Sequence, residues 1–330
     1  MPYVHHSMRA GYSEARAEVT PEQWNRHLEL SWLEDFTALV ECQNFSRAAE
    51  RRNMTQPAFS RRVRALEDWV GTPLFDRGTH RISLTPAGEQ FRTVAQDVLR
   101  RLYQGRQQAL DASRAADSAL RFAATHALSL TFFPAWMRKL EEKIHLGQVE
   151  LVADNMAACE RIMLEGQAQF LICHHHPAAS TRFDTQDFVS VHLDDDVLIP
   201  VTARGGNGAA LHALPGSSDA PIPYLAYNEK SGIGRIIASA RAQGGQPCWL
   251  APVFTSHLGI VLKTLAADGR GIVWSPQSLV TDDLAAGGRL MRAGGPDWDI
   301  PVEIRLFRPR ARQNDKAEHF WASLTGQTIS

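Results

Sequence analysis

The sequence predicts an α/β protein with a small helical module ahead of its sheet, and three observations predict it. Positive charge is concentrated in one stretch, apolar residues recur at helical spacing from Trp32 to Leu102, and from Leu120 onward short apolar runs alternate with amphipathic ones. At 330 residues the chain exceeds one ordinary core, and 44% hydrophobic with 22% charged residues is the composition of a folded chain.

Several classes are excluded early. No run approaches the roughly 18 apolar residues of a membrane span, and the first residues mix His, Arg, Glu and Asn without an apolar targeting core. The four cysteines, Cys42, Cys159, Cys173 and Cys248, form no C-x-x-C pair, so neither a disulfide framework nor a zinc knuckle is suggested, and a cytoplasmic protein is expected.

The net charge of −1 hides a division. From Asn44 to Arg101 eleven arginines, no lysine and six acids give +5, leaving −6 for the remainder. A basic module on an acidic body expects a polyanion for that module alone. Arginine's planar donor fork suits phosphates and guanine edges.

Residues 1–29 lack a sustained apolar period and read as a flexible extension. Trp32, Leu33, Phe36, Leu39 and Val40 then mark an amphipathic helix that closes at Asn44. Ser46 is expected to cap a short second helix over Arg47 to Arg52, in which Ala48 and Ala49 permit close packing. Thr55 opens a third helix with Pro57 in its first turn, where a missing N–H is harmless.

At 100° per residue, Val63, Leu66 and Val70 of this third helix fall within about 40° of Phe59, and the four must pack inward. Pro57, Ser60, Arg61 and Arg64 fall at roughly 100° to 200° and face out. Two short helices, a tight turn and a third helix with a small, polar, cationic face make a helix-turn-helix, whose second member enters the major groove. After Gly71, the stretch from Thr72 to Leu84 reads as a hairpin wing around Gly78-Thr79-His80, with Arg77 and Arg81 placed for phosphates. Thr85-Pro86 starts a long helix, 86–116, whose Phe91, Val94, Ala95, Val98, Leu99 and Leu102 form a seam. A second copy of the chain is the simplest partner for such a seam.

These residues carry a resemblance. Phe36-x-x-Leu39, Asn44-Phe45-Ser46-x-Ala48-Ala49, Thr55-Gln56-Pro57-Ala58-x-Ser60-x-x-Val63-x-x-Leu66-Glu67, Gly71-x-x-Leu74-Phe75-x-Arg77 and Leu84-Thr85-x-x-Gly88 resemble the winged helix-turn-helix of the LysR-type transcriptional regulators over about sixty residues in register. The resemblance implies a DNA-binding domain at 30–85, with Ser46, Gln56, Pro57, Ser60, Arg61 and Arg64 on the DNA, joined on the wing by Arg77 and Arg81. Asn44-Phe45-Ser46, Gln56 to Arg62 and His126-Ala127-Leu128-Ser129-Leu130 are similar to the branch that includes the hypochlorite-responsive regulators.

From Leu120 the expected strands are 120–125, 149–153, 169–173, 197–202, 224–227, 249–254, 271–274 and 302–307, with helices near 130–142, 156–166, 234–242, 258–268, 276–286 and 315–324. The family resemblance implies that 120–330 forms a two-lobed, periplasmic-binding-protein-like effector domain, one lobe 120–195 with 301–330 and the other 196–300. Its chain crosses between the lobes near Leu193 to Val197 and Asp299 to Val302.

Open α/β sheets bind ligands beyond the carboxyl ends of their strands, where helix starts offer free N–H groups. Thr125, His126 and Ser129 follow a strand of the first lobe; Thr255, Ser256 and His257 follow one of the second. Facing each other, these would favour a small anion. The competing reading is that the hydroxyls only cap helices. Asn228, Lys230 and Ser231, after another strand, and His174 or His175 are further candidates for the same cleft.

Cys173-His174-His175-His176 suggests metal by composition, but four adjacent residues at a strand end cannot all face one ion, so no metal and no cofactor is expected. Cys42, Cys159 and Cys173 read as buried thiols, and Asp194-Asp195-Asp196 as solvated hinge residues. No Gly-Lys dipeptide, G-x-S-x-G elbow or H-E-x-x-H helix occurs, so no enzyme is expected. The function that follows is a homodimeric or homotetrameric regulator that binds double-stranded promoter DNA and responds to a small anionic effector. Two rivals stand beside it: a regulator whose signal is an oxidised side chain, and a binding protein whose helix-turn-helix is structural only.

Overall fold

The computed structural model describes residues 28–76, 82–113, 119–179, 181, 183, 187–206, 208–243 and 246–326. The expected extension up to residue 27, the wing turn with Arg77 and Arg81, and the last residues of the 86–116 helix lie outside the described residues. The chain divides between Arg101 and Leu102 into two compact units.

In the first unit, α1 (Leu30–Cys42), α2 (Phe45–Arg51) and α3 (Gln56–Val70) pack around Phe36, Leu39, Phe59 and Leu66, all without exposure. Asn44, not Ser46, caps α2: its extended backbone lets the side chain accept the Arg47 N–H at 3.0 Å, so the helix begins two residues earlier than the sequence suggested. Ser46 is left exposed in the first turn. Asp35 of α1 is fully buried and joins the three helices, accepting from Arg52 Nε at 2.7 Å and pairing with Arg62 Nε at 2.8 Å. Burial pushes its carboxyl up, and the two guanidiniums offset that only in part. Gly71 ends α3 in the left-handed region, φ +83°, its N–H on Glu67 O.

The wing consists of β1 (Phe75–Asp76) antiparallel to β2 (Ser83–Leu84). Glu67 accepts the N–H groups of Leu74 and Phe75, at 2.9 and 3.1 Å, tying the wing to α3. Thr85 donates to Pro73 O and accepts the Gly88 N–H, capping α4 (Pro86–Ser113). A Cβ on Gly88 would lie 2.1 Å from Leu74 O, so the start of α4 meets the wing loop at a distance only glycine permits. The expected seam of α4 separates into two rows. Ala95 and Leu99 are buried and Phe91 sets its ring edge-on to Phe36, whereas Val94, Val98 and Leu102 are 56%, 44% and 48% exposed. Rows 91-95-99 and 94-98-102 are offset by about 60° around a helix, enough to face different surroundings.

In the second unit β4 (Val149–Asp154), β3 (Leu120–Thr125) and β5 (Phe170–His175) run parallel, and β11 (Ile300–Pro309) and β6 (Phe188–Ala203) continue the sheet antiparallel. Beyond Leu198, β6 also pairs with β9 (Val273–Pro276) and β10 (Leu290–Arg292), and β7 (Ile222–Tyr227) pairs in parallel with β8 (Leu250–Ser256). The expected crossings fall on a single antiparallel ladder: β6 and β11 stay paired from Phe188 with Pro309 to Leu198 with Ile300, interrupted by one irregularity at Ile304/Arg305. β6 begins nine residues before the expected strand because Asp194 to Asp196 mask the alternation of Phe188 to Leu193.

The expected 130–142 helix is instead α5 (His126–Thr131) and α6 (Phe133–Glu141), with Pro134 in the first turn of the second. The remaining helices are α7 (Met156–Leu164), α8 (Gly232–Ala242), α9 (Gly259–Ala267), α10 (Gln277–Leu284) and α11 (Asp315–Thr325). One core gathers Phe122, Trp136, Phe170, Leu306 and Phe320; another gathers Leu198, Tyr224, Ile236 and Trp274.

Candidate functional site

Two sites emerge. On α3 the inward stripe is as the wheel requires: Phe59, Val63 and Leu66 are at most 1% exposed. Gln56, Pro57, Arg61 and Arg64 are exposed and Ser60 is half-buried, forming a polar, cationic face beside exposed Ser46 on α2. Arg62 belongs to the interior through Asp35. This face can place guanidinium forks on base edges and phosphates.

The second site is a cleft at the carboxyl ends of β3, β4, β5, β7 and β8. Thr125, His126, Asp154, Asn155, Met156 and His174 line it from one side, and Ser231, Gly232, Ile233, His257 and Gly259 from the other. It is partly open to solvent and offers about 30 Å³, room for about two water-sized bodies and roughly a tenth of an ordinary small-molecule pocket. The His126 and His257 rings, from opposite sides, are 6.0 Å apart between centroids.

Asp154 is the acid in this lining. Its Oδ1 accepts both the N–H and Nδ2 of Asn155, at 2.7 and 2.8 Å, and lies 3.9 Å from His126 Nε2. The Thr125 hydroxyl is buried with no hydrogen-bond partner among the described residues. The Tyr227 hydroxyl, which abuts Gly259, is in the same condition, and burial pushes its phenol well above the ordinary range. Buried polar atoms of this kind are ones that a small polar molecule could satisfy.

Of the residues singled out from the sequence, the structure brings together Thr125, His126, His174, Ser231 and His257. It places four elsewhere. Ser129 sits one turn into α5 and returns its hydroxyl to His126 O at 2.8 Å. Thr255 lies exposed within β8, Ser256 accepts the Leu258 N–H at 3.1 Å, and Asn228 accepts the Lys230 N–H at 3.1 Å. Each of the last two closes a local turn. The capping expectation fits Ser231, which accepts the Gly234 N–H, but not Thr125, whose side chain caps nothing.

His175 turns from the cleft toward Glu303, 3.7 Å away. Asp196 departs from the solvated-hinge expectation: it is buried, with Oδ2 3.2 Å from His174 Nε2 and 2.6 Å from Ser278 Oγ, and Oδ1 accepting the Val197 N–H. Burial pushes its carboxyl up, but His174, Ser278 and the Val197 N–H together hold it below the ordinary 3.8. Asp194 and Asp195 are exposed.

Cys159 and Cys173 are buried, and burial pushes the Cys159 thiol up to about 12; Cys42 is half-buried, contrary to the buried-thiol expectation. Sequence reasoning also missed Asn155. It follows a strand and caps α7 by accepting the Ala158 N–H, the same strand-then-cap signal that marked Ser231.

Residues 30–89 match the family described as "Bacterial regulatory helix-turn-helix protein, lysR family", and residues 113–328 the "LysR substrate binding domain". The chain is 30% identical over 299 residues to the HTH-type transcriptional regulator YjiE of Escherichia coli (strain K12), covering 90% of this chain and 94% of that one. It is similar to full-length HypT of Salmonella typhimurium, a hypochlorite-specific LysR-type transcriptional regulator, at 30% identity and a TM-score of 0.54 over 91% of this chain and 98% of that one. The bromide-bound regulatory domain of HypT matches at 26% identity and a TM-score of 0.52, over 64% of this chain and 97% of that one. Vibrio fischeri DarR, solved in complex with DNA, matches at 30% identity and a TM-score of 0.53 over 92% of this chain and 100% of that one. The chain is a DNA-binding transcriptional regulator, not an enzyme, and belongs to the LysR family.

Proposed function

We propose that this regulator responds to a small inorganic or carboxylate anion bound between two lobes, 120–195 with 301–330 and 196–300. The observation that carries the reading is the pair of imidazoles, His126 and His257, facing each other across a space of about 30 Å³. Histidine is the side chain that gains or loses positive charge near neutral pH, and two of them with a free hydroxyl from Thr125 form a donor set for an anion. The helix starts of α8 and α9 supply main-chain N–H groups at the same place. Space this small suits a halide, a hypohalite or formate. HypT is described as hypochlorite-specific and its regulatory domain has been solved with bromide, which supports an ion of this size.

The same reading places Ser46, Gln56, Pro57, Ser60, Arg61 and Arg64 on promoter DNA in the cytoplasm, with Arg77 and Arg81 beside them. DarR was solved in complex with DNA, which supports the use of this module. It also pairs two copies along Val94, Val98 and Leu102, an exposed apolar row that water disfavours. Cysteine oxidation is the weaker signal, because the buried Cys159 thiol is held far from its reactive thiolate form.

The test is a thermal-shift titration of the full chain with bromide, formate, sulfate and phosphate, repeated with His126→Ala and His257→Ala. Stabilisation by bromide or formate that both variants lose supports the reading. A response to none of the four, with promoter binding altered by hypochlorite alone, replaces it with the side-chain sensor.

A further inference from the structure

A part-buried ion pair joins α7 and α8 beside the cleft. Arg235 of α8 meets Glu160 of α7 with both terminal nitrogens, Nη1 to Oε1 at 2.8 Å and Nη2 to Oε2 at 3.1 Å. The Glu160 side chain is 1% exposed and that of Arg235 30%. Two backbone contacts flank the pair. The Ala157 N–H donates to Lys230 O at 3.2 Å, and Gly232 sits so near Met156 that an added Cβ would lie 3.2 Å from the Met156 Cβ. Met156 and Gly232 also line the cleft, so these contacts join its two walls. On another rim, Ser278 Oγ of α10 lies 3.4 Å from Thr131 Oγ1 of α5.

We propose that the Glu160–Arg235 pair sets the size limit of the effector. It holds the starts of α7 and α8 at a separation that leaves about 30 Å³ without any ligand, so that halides, hypohalites and formate enter while aromatic carboxylates do not. This rests on the anion reading of the same cleft. The argument is geometric. A two-pronged guanidinium–carboxylate contact fixes distance and orientation together. Widening the cleft between α7 and α8 would break both of these charge-assisted hydrogen bonds, together with the Ala157 to Lys230 hydrogen bond beside them. A ligand whose bulk requires a wider cleft must overcome that before it gains any contact.

The experiment uses the full chain, Arg235→Ala, and the double variant Glu160→Leu with Arg235→Met, which fills similar volume without leaving a buried charge. Hydrogen exchange at the Ala157 amide reports the separation of the walls, with the sheet amides of Leu171 and Leu306 as internal standards. Calorimetric titrations with bromide, formate and benzoate report the size limit. The expected result is Ala157 exchange at least tenfold faster in the double variant, unchanged sheet amides, and benzoate binding gained at least tenfold over the wild type while bromide is retained. Wild-type binding of benzoate as tight as that of formate overturns the size limit. Bromide binding in the wild type and the double variant, with Ala157 exchange and benzoate exclusion unchanged, overturns the role of the pair and leaves the anion reading standing. No binding of bromide or formate by the wild type overturns the anion reading, and the size limit with it.

Discussion

Asp196 and His174 form a contact, 3.2 Å from Oδ2 to Nε2, with side chains only 4% and 2% exposed. His174 lines the cleft and Asp196 stands behind it, held by Ser278 and the Val197 N–H. An ionised Asp196 can only accept, so the His174 Nε2–H donates to it and the contact orients the ring.

This contact makes stability depend on acid in a defined direction. Because its partners hold the Asp196 carboxyl below its ordinary 3.8, the stabilisation is present above about pH 4 and lost as pH falls through the folded value. Asp196→Asn should cost about 2–3 kcal/mol at pH 7 and should flatten the acid side of the stability curve. Urea unfolding between pH 3 and pH 7 measures both; a variant that keeps the wild-type slope below pH 4 would show that another carboxylate governs that limb.

Arg62 and Arg64 are two residues apart and should behave differently. Arg64→Ala should weaken operator binding by about 1–3 kcal/mol with little change in melting temperature. Arg62→Ala should cost about 1–3 kcal/mol of stability through the loss of a partner of buried Asp35, and so lower the melting temperature, while leaving base preference alone. Anisotropy titrations on specific and scrambled duplexes, beside calorimetry, distinguish them.

Val94→Glu with Val98→Glu should give a folded protein that no longer self-associates, since both side chains are exposed on α4 and neither fills a core. Operator affinity should fall with it, because two half-sites are then bound independently. Light scattering that shows the wild-type mass would place the interface elsewhere.

His126→Ala and His257→Ala should each weaken bromide and formate binding, since each removes a ring-nitrogen donor from one wall of the cleft. Ser129→Ala should leave affinity within about twofold, because that hydroxyl is committed to His126 O. Calorimetry that finds wild-type bromide and formate affinity in both histidine variants would remove the histidines from the site.

How much was legible in the sequence depended on how local the cause was. The two faces of α3 follow from 100° steps within fifteen residues, and the structure buries Phe59, Val63 and Leu66 as that spacing requires. Half of the cleft was legible for a similar reason: a strand that ends in a helix start announces itself at His126, Ser231 and His257. Ser129, Thr255 and Ser256 were attractive by composition but bond locally or lie in the strand, details that depend on where α5 and β8 begin and end. Glu160 with Arg235, 75 residues apart, and His174 with Asp196, 22 apart, carry no local period. Nothing in Asp194-Asp195-Asp196 shows which of three identical residues turns inward until its neighbours in space are known.

The shared ladder of β6 and β11 limits how the effector's message can travel. Two bodies joined by a flexible linker could swing apart freely, but strands paired from Phe188 to Leu198 are held by a ladder of hydrogen bonds, so relative movement would have to twist or bend that ladder. The irregularity at Ile304/Arg305 interrupts the regular pairing, and fewer ladder bonds resist twisting there. An ion that tightens the cleft would therefore register as a few degrees of rotation distributed along a spine, a displacement small in ångströms at the ion and larger at the far edge of each lobe.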